Sequence, residues 1–208
     1  MSVMHGEPPV AAAAEHKIEG RSVGWWGMIF FISSEALIFA NLIAAFLYLE
    51  IRNPVSAWTL PTGGHLDYVY PLINTFILLA SSIPVRIAGA GIAKGNRRNL
   101  IFGLAGTIIL GSIFLGGQIY EYSGLFGIGF NPQYKTFGSA FFTLTGFHGL
   151  HVTIGVIFLL IMLIRSIRGD FTPQKHFGVE AAEMYWHFVD LVWVVVFSTV
   201  YLLPLIRG

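Results

Sequence analysis

The chain has 208 residues, of which 55% are hydrophobic and only 11% charged, whereas an ordinary soluble domain is about 25% charged. Its 12 basic residues barely exceed its 11 acidic ones, which excludes nucleic acid as the main partner because a phosphate backbone needs a basic excess. The absence of cysteine excludes disulfides, thiolate metal sites and a cysteine nucleophile, and the composition as a whole predicts a membrane protein.

The first 21 residues are polar, with two prolines and an alanine run, which predicts a flexible N-terminal tail. This tail lacks the apolar core and cleavage site of a signal peptide, so we expect it to stay attached. Five apolar stretches follow, over residues 22–49, 68–93, 100–120, 137–164 and 179–206. Each is long enough to cross a hydrocarbon core of about 30 Å as a helix, and none has the alternation of a barrel strand. Residues 22–208 are therefore predicted to form one all-α domain, a bundle of five transmembrane helices.

The loop charges predict how this bundle is oriented. One face holds eight basic residues, namely Lys17, Arg21, Lys94, Arg97, Arg98, Arg165, Arg168 and Lys175. The opposite face holds Arg52, Lys135 and Arg207, while Arg86 lies inside the second span. Because cytoplasmic loops carry the excess of lysine and arginine, the N-terminus is predicted to be cytoplasmic and the C-terminus to lie outside.

Small residues recur every four positions in the third span, as Gly103, Thr107 and Gly111. Positions four apart lie on one side of a helix. Small side chains in such a row let a neighbouring membrane helix approach closely, so this row is predicted to be a packing seam.

Glu35 and His151 lie near the middle of the first and fourth spans, which run antiparallel. An unsatisfied polar group is costly at this depth, so we predict a hydrogen bond between them, directly or through one water. Two interpretations of Glu35 stay open: a carboxylate that handles protons or lines an oxygen path, and a hydrogen bond that fixes helix packing. His148 lies three residues before His151 and therefore on the same helix face.

The fifth span carries a polar stripe of Glu180, Glu183, His187 and Asp190, spaced three, four and three apart. This spacing places all four on one side of a helix, which must face other helices or another subunit rather than lipid. Asp190 reaches the middle of the membrane, so it is the rival partner for His151.

The same histidines and carboxylates raise the possibility of an iron or zinc site. Di-iron bundles need Glu-x-x-His on two helices, and this chain has no such element, so we predict no metal site. With no phosphate loop and no credible nucleophile, we also predict no catalytic residue. Arg86 and Arg165 lie at the cytoplasmic ends of their spans, where they act either as positive-inside residues or as ligands of lipid phosphate.

Three long motifs, residues 141–152 (FFTLTGFHGLHV), 176–182 (HFGVEAA) and 185–193 (YWHFVDLVW), resemble subunit III of the haem–copper oxidases, specifically cytochrome c oxidase. Ser34-Glu35, residues 79–82 and Gln118-x-x-Glu121-Tyr122 extend this resemblance to about Trp25 to Leu203. Many members have seven helices, and this chain is similar to the shorter bacterial form with five.

The resemblance implies a non-catalytic subunit of an aa3- or caa3-type oxidase in the bacterial inner membrane. Haems and copper would then reside in subunits I and II, with small subunits or a respiratory supercomplex as further partners. The implied roles are to stabilise the catalytic core, hold phospholipid, and support proton uptake and oxygen access to subunit I. Glu35 and His151 match the family's buried carboxylate and histidine, and Arg165 matches a lipid-phosphate arginine.

Two alternatives remain at this point. The first is subunit III of a quinol oxidase, because the electron donor is recognised by subunit II. The second is a stand-alone proton or ion transporter that uses Glu35, His151 and Asp190. Transporters of this kind often have paired repeats with broken helices, and the sequence shows no sign of either.

Overall fold

The computed structural model describes residues 22–63 and 66–204, so the predicted tail lies outside the described residues. Its helices are α1 (Val23–Arg52), α2 (Val69–Ala80), α3 (Ser82–Ala93), α4 (Arg97–Gly127), α5 (Lys135–Arg168) and α6 (Phe177–Phe197). A short 3₁₀ helix (Val55–Ala57) follows α1, and a π-helical turn (Ser198–Leu202) continues α6. With α2 and α3 counted as one span, five spans are long and apolar enough to cross a membrane. This confirms the predicted all-α bundle.

The helix ends on the predicted cytoplasmic face are capped. The side chain of Ser22 accepts a hydrogen bond from the Trp25 backbone N–H at the start of α1 (3.3 Å), which satisfies one of the free donors there. Gly169 ends α5 with a φ of 88°, a left-handed conformation that glycine adopts without strain. Nearby, Arg97 donates a 3.0 Å hydrogen bond to the Ser166 carbonyl. The loops after the second and fourth spans therefore meet on one face, as their basic residues predict.

The second span is broken at Ser81, which separates α2 from α3. Pro84 explains the break, since it has no N–H to donate to the Ala80 carbonyl and its ring clashes with that group. The Ser81 hydroxyl donates to the Leu78 carbonyl at 2.5 Å. The predicted second span, residues 68–93, is therefore present as Val69–Ala93, with an interruption at Ser81 that the hydropathy pattern did not predict.

The last span is the core of the bundle. Of its most apolar stretch, 67% is buried, against 11% for α1. The Trp186 and Trp193 side chains of α6 are fully buried, and their indole N–H groups donate to Ser81 and Thr75 at 2.8 Å each. Two buried hydrogen bonds therefore tie α6 to the break and to α2 before it, while α1 lies at the periphery.

The predicted seam on α4 is a close helix crossing. A Cβ atom placed on Gly103 would lie 2.5 Å from the Pro84 carbonyl oxygen of α3, and one on Gly111 would lie 2.5 Å from the Trp186 ring. Thr107, between the two glycines, is fully buried. The seam thus brings α4 against α3 and α6, as its small residues predict.

Candidate functional site

Glu35 of α1 and His151 of α5 are in contact, with Oε2 and Nε2 2.9 Å apart. The depth-based prediction of this contact is therefore confirmed. The imidazole packs between the Phe39 and Phe147 rings, each 4.8 Å from it between centroids. The Tyr185 hydroxyl donates to the His151 carbonyl at 3.2 Å, which adds α6 to the same junction.

The hydrogen-bond geometry fixes how this pair holds its proton. His151 Nδ1 lies 2.8 Å from the Phe147 carbonyl oxygen, and a carbonyl can only accept, so Nδ1 is the N–H donor. Nε2 then either accepts from a neutral Glu35 or, as imidazolium, donates to the carboxylate. In both forms the pair as a whole is neutral, which suits a site that hydrocarbon surrounds.

His148 does not belong to this pair. It is fully buried, stacks on Trp193 with ring centroids 4.7 Å apart, and meets the Phe114 ring edge-on. Neither ring nitrogen has a hydrogen-bond partner among the described residues. The two histidines both contact the Phe39 ring of α1, but His151 hydrogen-bonds to Glu35 whereas His148 lies among aromatic rings.

The polar stripe of α6 faces α3, not His151. His187 Nδ1 lies 3.2 Å from the Ser82 hydroxyl, which itself donates to an Asp190 carboxylate oxygen. The alternative in which Asp190 binds His151 is therefore not what the structure contains. Glu183 lies 3.8 Å from His187 Nε2, on the side of the stripe nearer the start of α6.

Glu180, the first residue of the stripe, pairs with His176 at 3.0 Å. The stripe opens on a cavity of about 530 Å³ near the start of α1 and α6. The cavity is lined by Ser22, Trp25, Glu180, Glu183, Met184 and His187. It gives the acidic end of the stripe a polar opening on the predicted cytoplasmic face.

A carboxylate network on the opposite side of the membrane was not among the predicted site residues. Glu121 accepts hydrogen bonds from Tyr201 (2.7 Å) and Gln118 (3.1 Å), and the Tyr122 hydroxyl lies 2.7 Å from that of Thr145. Tyr201 belongs to the π-helical turn. The Gln118-x-x-Glu121 spacing, one helical turn, was the available sequence signal, but the tyrosine comes from another helix.

The two predicted lipid-binding arginines have different surroundings. Arg165 Nε donates to Asp170 at 3.1 Å, and its guanidinium lies over the Phe171 ring, 4.9 Å from the centroid. Its side chain is still 47% exposed, so part of the cation stays accessible to a ligand. Arg86 is exposed on α3. Lipid binding by either arginine stays a prediction.

The side chains present do not fit a haem or copper centre. Within residues 22–63 and 66–204, no three His, Cys, Asp or Glu side chains lie together so that they could hold a metal ion. The donors are divided instead between the Glu35–His151 pair, the stripe on α6 and the isolated His148 ring. No step of oxygen reduction can therefore be derived from this part of the chain.

Comparison with known proteins supplies the family. A model of cytochrome c oxidase subunit III matches residues 11–204, nearly the whole chain. The chain belongs to the cytochrome c oxidase subunit III family. It is 39% identical to cytochrome c oxidase subunit 3 of Thermostichus vulcanus, over 93% of this chain and 94% of the relative. The same subunit of Synechocystis sp. is 41% identical, over 86% of this chain and 75% of the relative.

Animal relatives are also similar to the chain. Cytochrome c oxidase subunit 3 of Gallus gallus is 43% identical, over 85% of this chain and 68% of the relative. Membership of this family makes the chain subunit III of a haem–copper oxidase, and hence a multi-pass membrane component of a multi-subunit complex. A stand-alone transporter, the alternative of a different class, does not agree with this membership.

Proposed function

We propose that this chain is the non-catalytic subunit that stabilises the core of an aa3- or caa3-type cytochrome c oxidase in a bacterial inner membrane. Its direct partners are subunits I and II, which hold the haems and copper, and the complex couples electron transfer to proton translocation. The observation that carries this proposal is the neutral Glu35–His151 pair. It joins the peripheral helix α1 to the rest of the bundle.

The pair acts in this proposal as a lock on helix packing. Apart from it, α1 buries little apolar surface within the chain, and in a membrane apolar surface alone gives little drive for helix association because lipid is equally apolar. A buried hydrogen bond across α1 and α5 therefore contributes much of the specificity of their contact. Once α1 is fixed in position, its exposed face becomes a regular surface for another subunit or for lipid.

Lipid retention, proton uptake and oxygen access form the second part of the proposal. Arg165 and Arg86 are suited to phospholipid headgroups because each carries a cation near the end of an apolar span. The polar cavity between the starts of α1 and α6 supports a role near the side from which protons are taken up. Subunit III of a quinol oxidase is the alternative, since the electron donor binds to another subunit.

The test is Glu35→Gln in the tagged chain, with Ser33→Ala as a matched control on the same helix. The Ser33 hydroxyl donates only to the Ile29 carbonyl of its own helix (2.7 Å), so its loss leaves the contact between α1 and α5 intact. Three measurements characterise the purified complex. They are its haem difference spectrum, the identity of its companion chains, and the initial rate of oxygen reduction together with the decay of that rate.

We expect Glu35→Gln to assemble with substantial initial turnover, then to lose this subunit or inactivate faster than the Ser33→Ala enzyme. Immediate loss of oxygen reduction in a fully assembled mutant would show instead that Glu35 belongs to the catalytic proton path. Purification of the wild-type chain without haem-containing partners would overturn the proposal as a whole.

A further inference from the structure

A second polar network, separate from the Glu35–His151 pair, runs from the cavity on the predicted cytoplasmic face to the middle of the bilayer. We propose that Glu183, His187, Ser82 and Asp190 form a one-ended proton relay that loads a proton onto Asp190 from that face. The relay lies between α3 and α6, on the polar stripe that packs against the broken second span. This proposal does not depend on whether the subunit supplies protons to a catalytic partner.

The contacts define a hydrogen-bonded direction from His187 through Ser82 to Asp190. The Ser82 hydroxyl donates to Asp190, so its oxygen is free to accept, and the group 3.2 Å away is His187 Nδ1. The N–H of that nitrogen therefore points toward Ser82. Nε2 has no hydrogen-bond partner among the described residues and lies 3.8 Å from a Glu183 carboxylate oxygen, a gap that a small rotation of the partly exposed Glu183 side chain closes before the proton moves. Each donor in this row aims at the next acceptor toward Asp190.

One proton passes along this row without a net change of charge on the intermediate groups. Glu183 gives a proton to His187 Nε2, and the N–H bond at Nδ1 breaks as that proton moves to the Ser82 oxygen. Ser82 releases its own hydroxyl proton to the Asp190 carboxylate. Ser82 ends neutral, Asp190 becomes a neutral carboxylic acid, and Glu183 regains a proton from the cavity. His187 ends neutral with its proton on Nε2, and the reverse transfer, which unloads Asp190, restores the Nδ1–H form. An imidazole is suited to this step because its two nitrogens can take and release different protons.

The outer end of the relay is accessible. Glu183 and His187 both line the cavity of about 530 Å³, together with Ser22 and Trp25 at the start of α1. The His187 side chain is 35% exposed and that of Glu183 is 24% exposed. A cavity of this size into which Ser22, Glu180, Glu183 and His187 project admits water, so the first two groups exchange protons with the predicted cytoplasmic side.

The inner end is closed. The Asp190 side chain is only 6% exposed, and its second oxygen, Oδ1, has no hydrogen-bond partner among the described residues. Asp190 lies 13 residues after Phe177, a helical rise of about 20 Å, which places it near the middle of the membrane. A carboxylate with one bare oxygen at that depth is strongly disfavoured, so Asp190 is a proton acceptor.

Among the described residues, no proton-carrying side chain follows Asp190 on this face of α6. One turn further on, the Trp193 indole N–H is already bound to the Thr75 hydroxyl (2.8 Å), and indole is a donor only. Phe197 follows, and it is buried and apolar. The relay therefore stores a proton and does not conduct it across the membrane.

The surrounding ionisable groups do not compete for this proton. Those on the elements packed against this part of α6 are Arg86 of α3, Glu35 of α1, and His148 and His151 of α5. Arg86 is exposed, Glu35 and His151 bind each other, and His148 stacks on an aromatic ring. Within the described segments, no hydrogen bond or ion pair joins Asp190 or His187 to an ionisable group of α2 or α4.

The experiment is infrared spectroscopy of the resting, purified oxidase complex, which records the C=O stretch of protonated carboxyl groups. We expect a band that disappears in Asp190→Asn, grows as the pH is lowered, and shifts when H₂O is replaced by D₂O. In His187→Phe the D₂O shift should slow by on the order of a hundredfold, the usual effect of removing one positioned proton-transfer group. Ser82→Ala should slow the D₂O shift by a similar factor.

Two further variants keep the result interpretable. Ser33→Ala is the control, because its hydroxyl donates to the Ile29 carbonyl of its own helix and its loss should leave both the Asp190 band and its exchange rate unchanged. If Asp190→Asn does not assemble, Asp190→Glu identifies the band instead through its changed frequency. The relay would be overturned if no C=O band that depends on Asp190 appeared at any pH. It would also be overturned if that band shifted in D₂O as fast in His187→Phe as in the wild type. Because the enzyme is at rest, neither result bears on the proposed role in assembly.

Discussion

Gly103→Ala tests whether the close crossing of α4 over α3 stabilises the fold. The added methyl group would lie 2.5 Å from the Pro84 carbonyl oxygen and 2.7 Å from the Ala88 backbone nitrogen. Both atoms belong to the backbone, so relief requires α3 to move as a body rather than one side chain to rotate. Gly116 of the same helix is the matched control, since a Cβ there meets nothing within 4 Å.

The expected magnitude follows from two opposing effects. Replacing glycine by alanine inside a helix stabilises it by about 0.5–1 kcal/mol. Overpacking a filled contact costs about 1–3 kcal/mol, and the upper part of that range applies because the obstacles are backbone atoms. The net loss for Gly103→Ala is therefore about 1–2 kcal/mol, whereas Gly116→Ala is expected to be neutral or slightly stabilising.

The assay is the thermal melting profile of the tagged chain in the detergent-solubilised complex, followed as the fraction of this chain that stays soluble. For a chain of this size each kcal/mol shifts the midpoint by about 2–4 °C, so Gly103→Ala should melt about 2–8 °C below the wild type. Equal midpoints for Gly103→Ala and Gly116→Ala would refute the reasoning, because the crossing would then tolerate the extra methyl group.

Three further predictions concern other parts of the chain. Trp193→Phe leaves the buried Thr75 hydroxyl without its donor and should destabilise the chain by about 1–3 kcal/mol; in the Thr75→Val background the same change should cost less, and equal costs would argue against the hydrogen bond. Arg165→Ala should lower the phospholipid retained per haem, whereas Asp170→Asn, which frees the cation, should not; lipid content unchanged in Arg165→Ala would remove that residue from lipid binding. Removing this chain from the complex should leave the iron and copper content per catalytic subunit unchanged. If one equivalent of a metal were lost together with the chain, the prediction of no metal site in this chain would be contradicted.

The positions of the spans and the Glu35–His151 contact could be predicted because each depends on a simple physical limit. Apolar length predicts a span whatever its neighbours are. The Glu35–His151 contact followed from the depth of both residues in the membrane and from the free-energy cost of an unsatisfied polar group there. Two polar groups at the same level of antiparallel helices have few other partners. The seam at Gly103 was also readable, because small residues at a spacing of four indicate close packing without naming the neighbour.

Other features needed the three-dimensional arrangement. In helices that are apolar on nearly every side, the hydrophobic pattern does not indicate which side faces which neighbour. Depth alone therefore left Asp190 as a possible partner of His151, while helix rotation directs it to Ser82. The break at Ser81 had a local signal in Pro84, but transmembrane helices often continue through a proline. The Glu121 network depends on Tyr201, 80 residues further along the chain.

The central place of α6 has a consequence for biosynthesis. It is the last of the five spans to leave the ribosome, yet its tryptophans supply the donors that Ser81 and Thr75 need. Until it arrives, the four earlier spans can pack on one another, α3 on α4 and α4 on α5, but the Ser81 and Thr75 hydroxyls lack their indole donors and the bundle lacks its most buried span. Translation that stops before α6 would therefore yield a loose, incompletely packed membrane intermediate, the kind of species prone to misassembly. The exposed polar groups of this intermediate are a feature by which cellular quality control can recognise a chain that lacks α6.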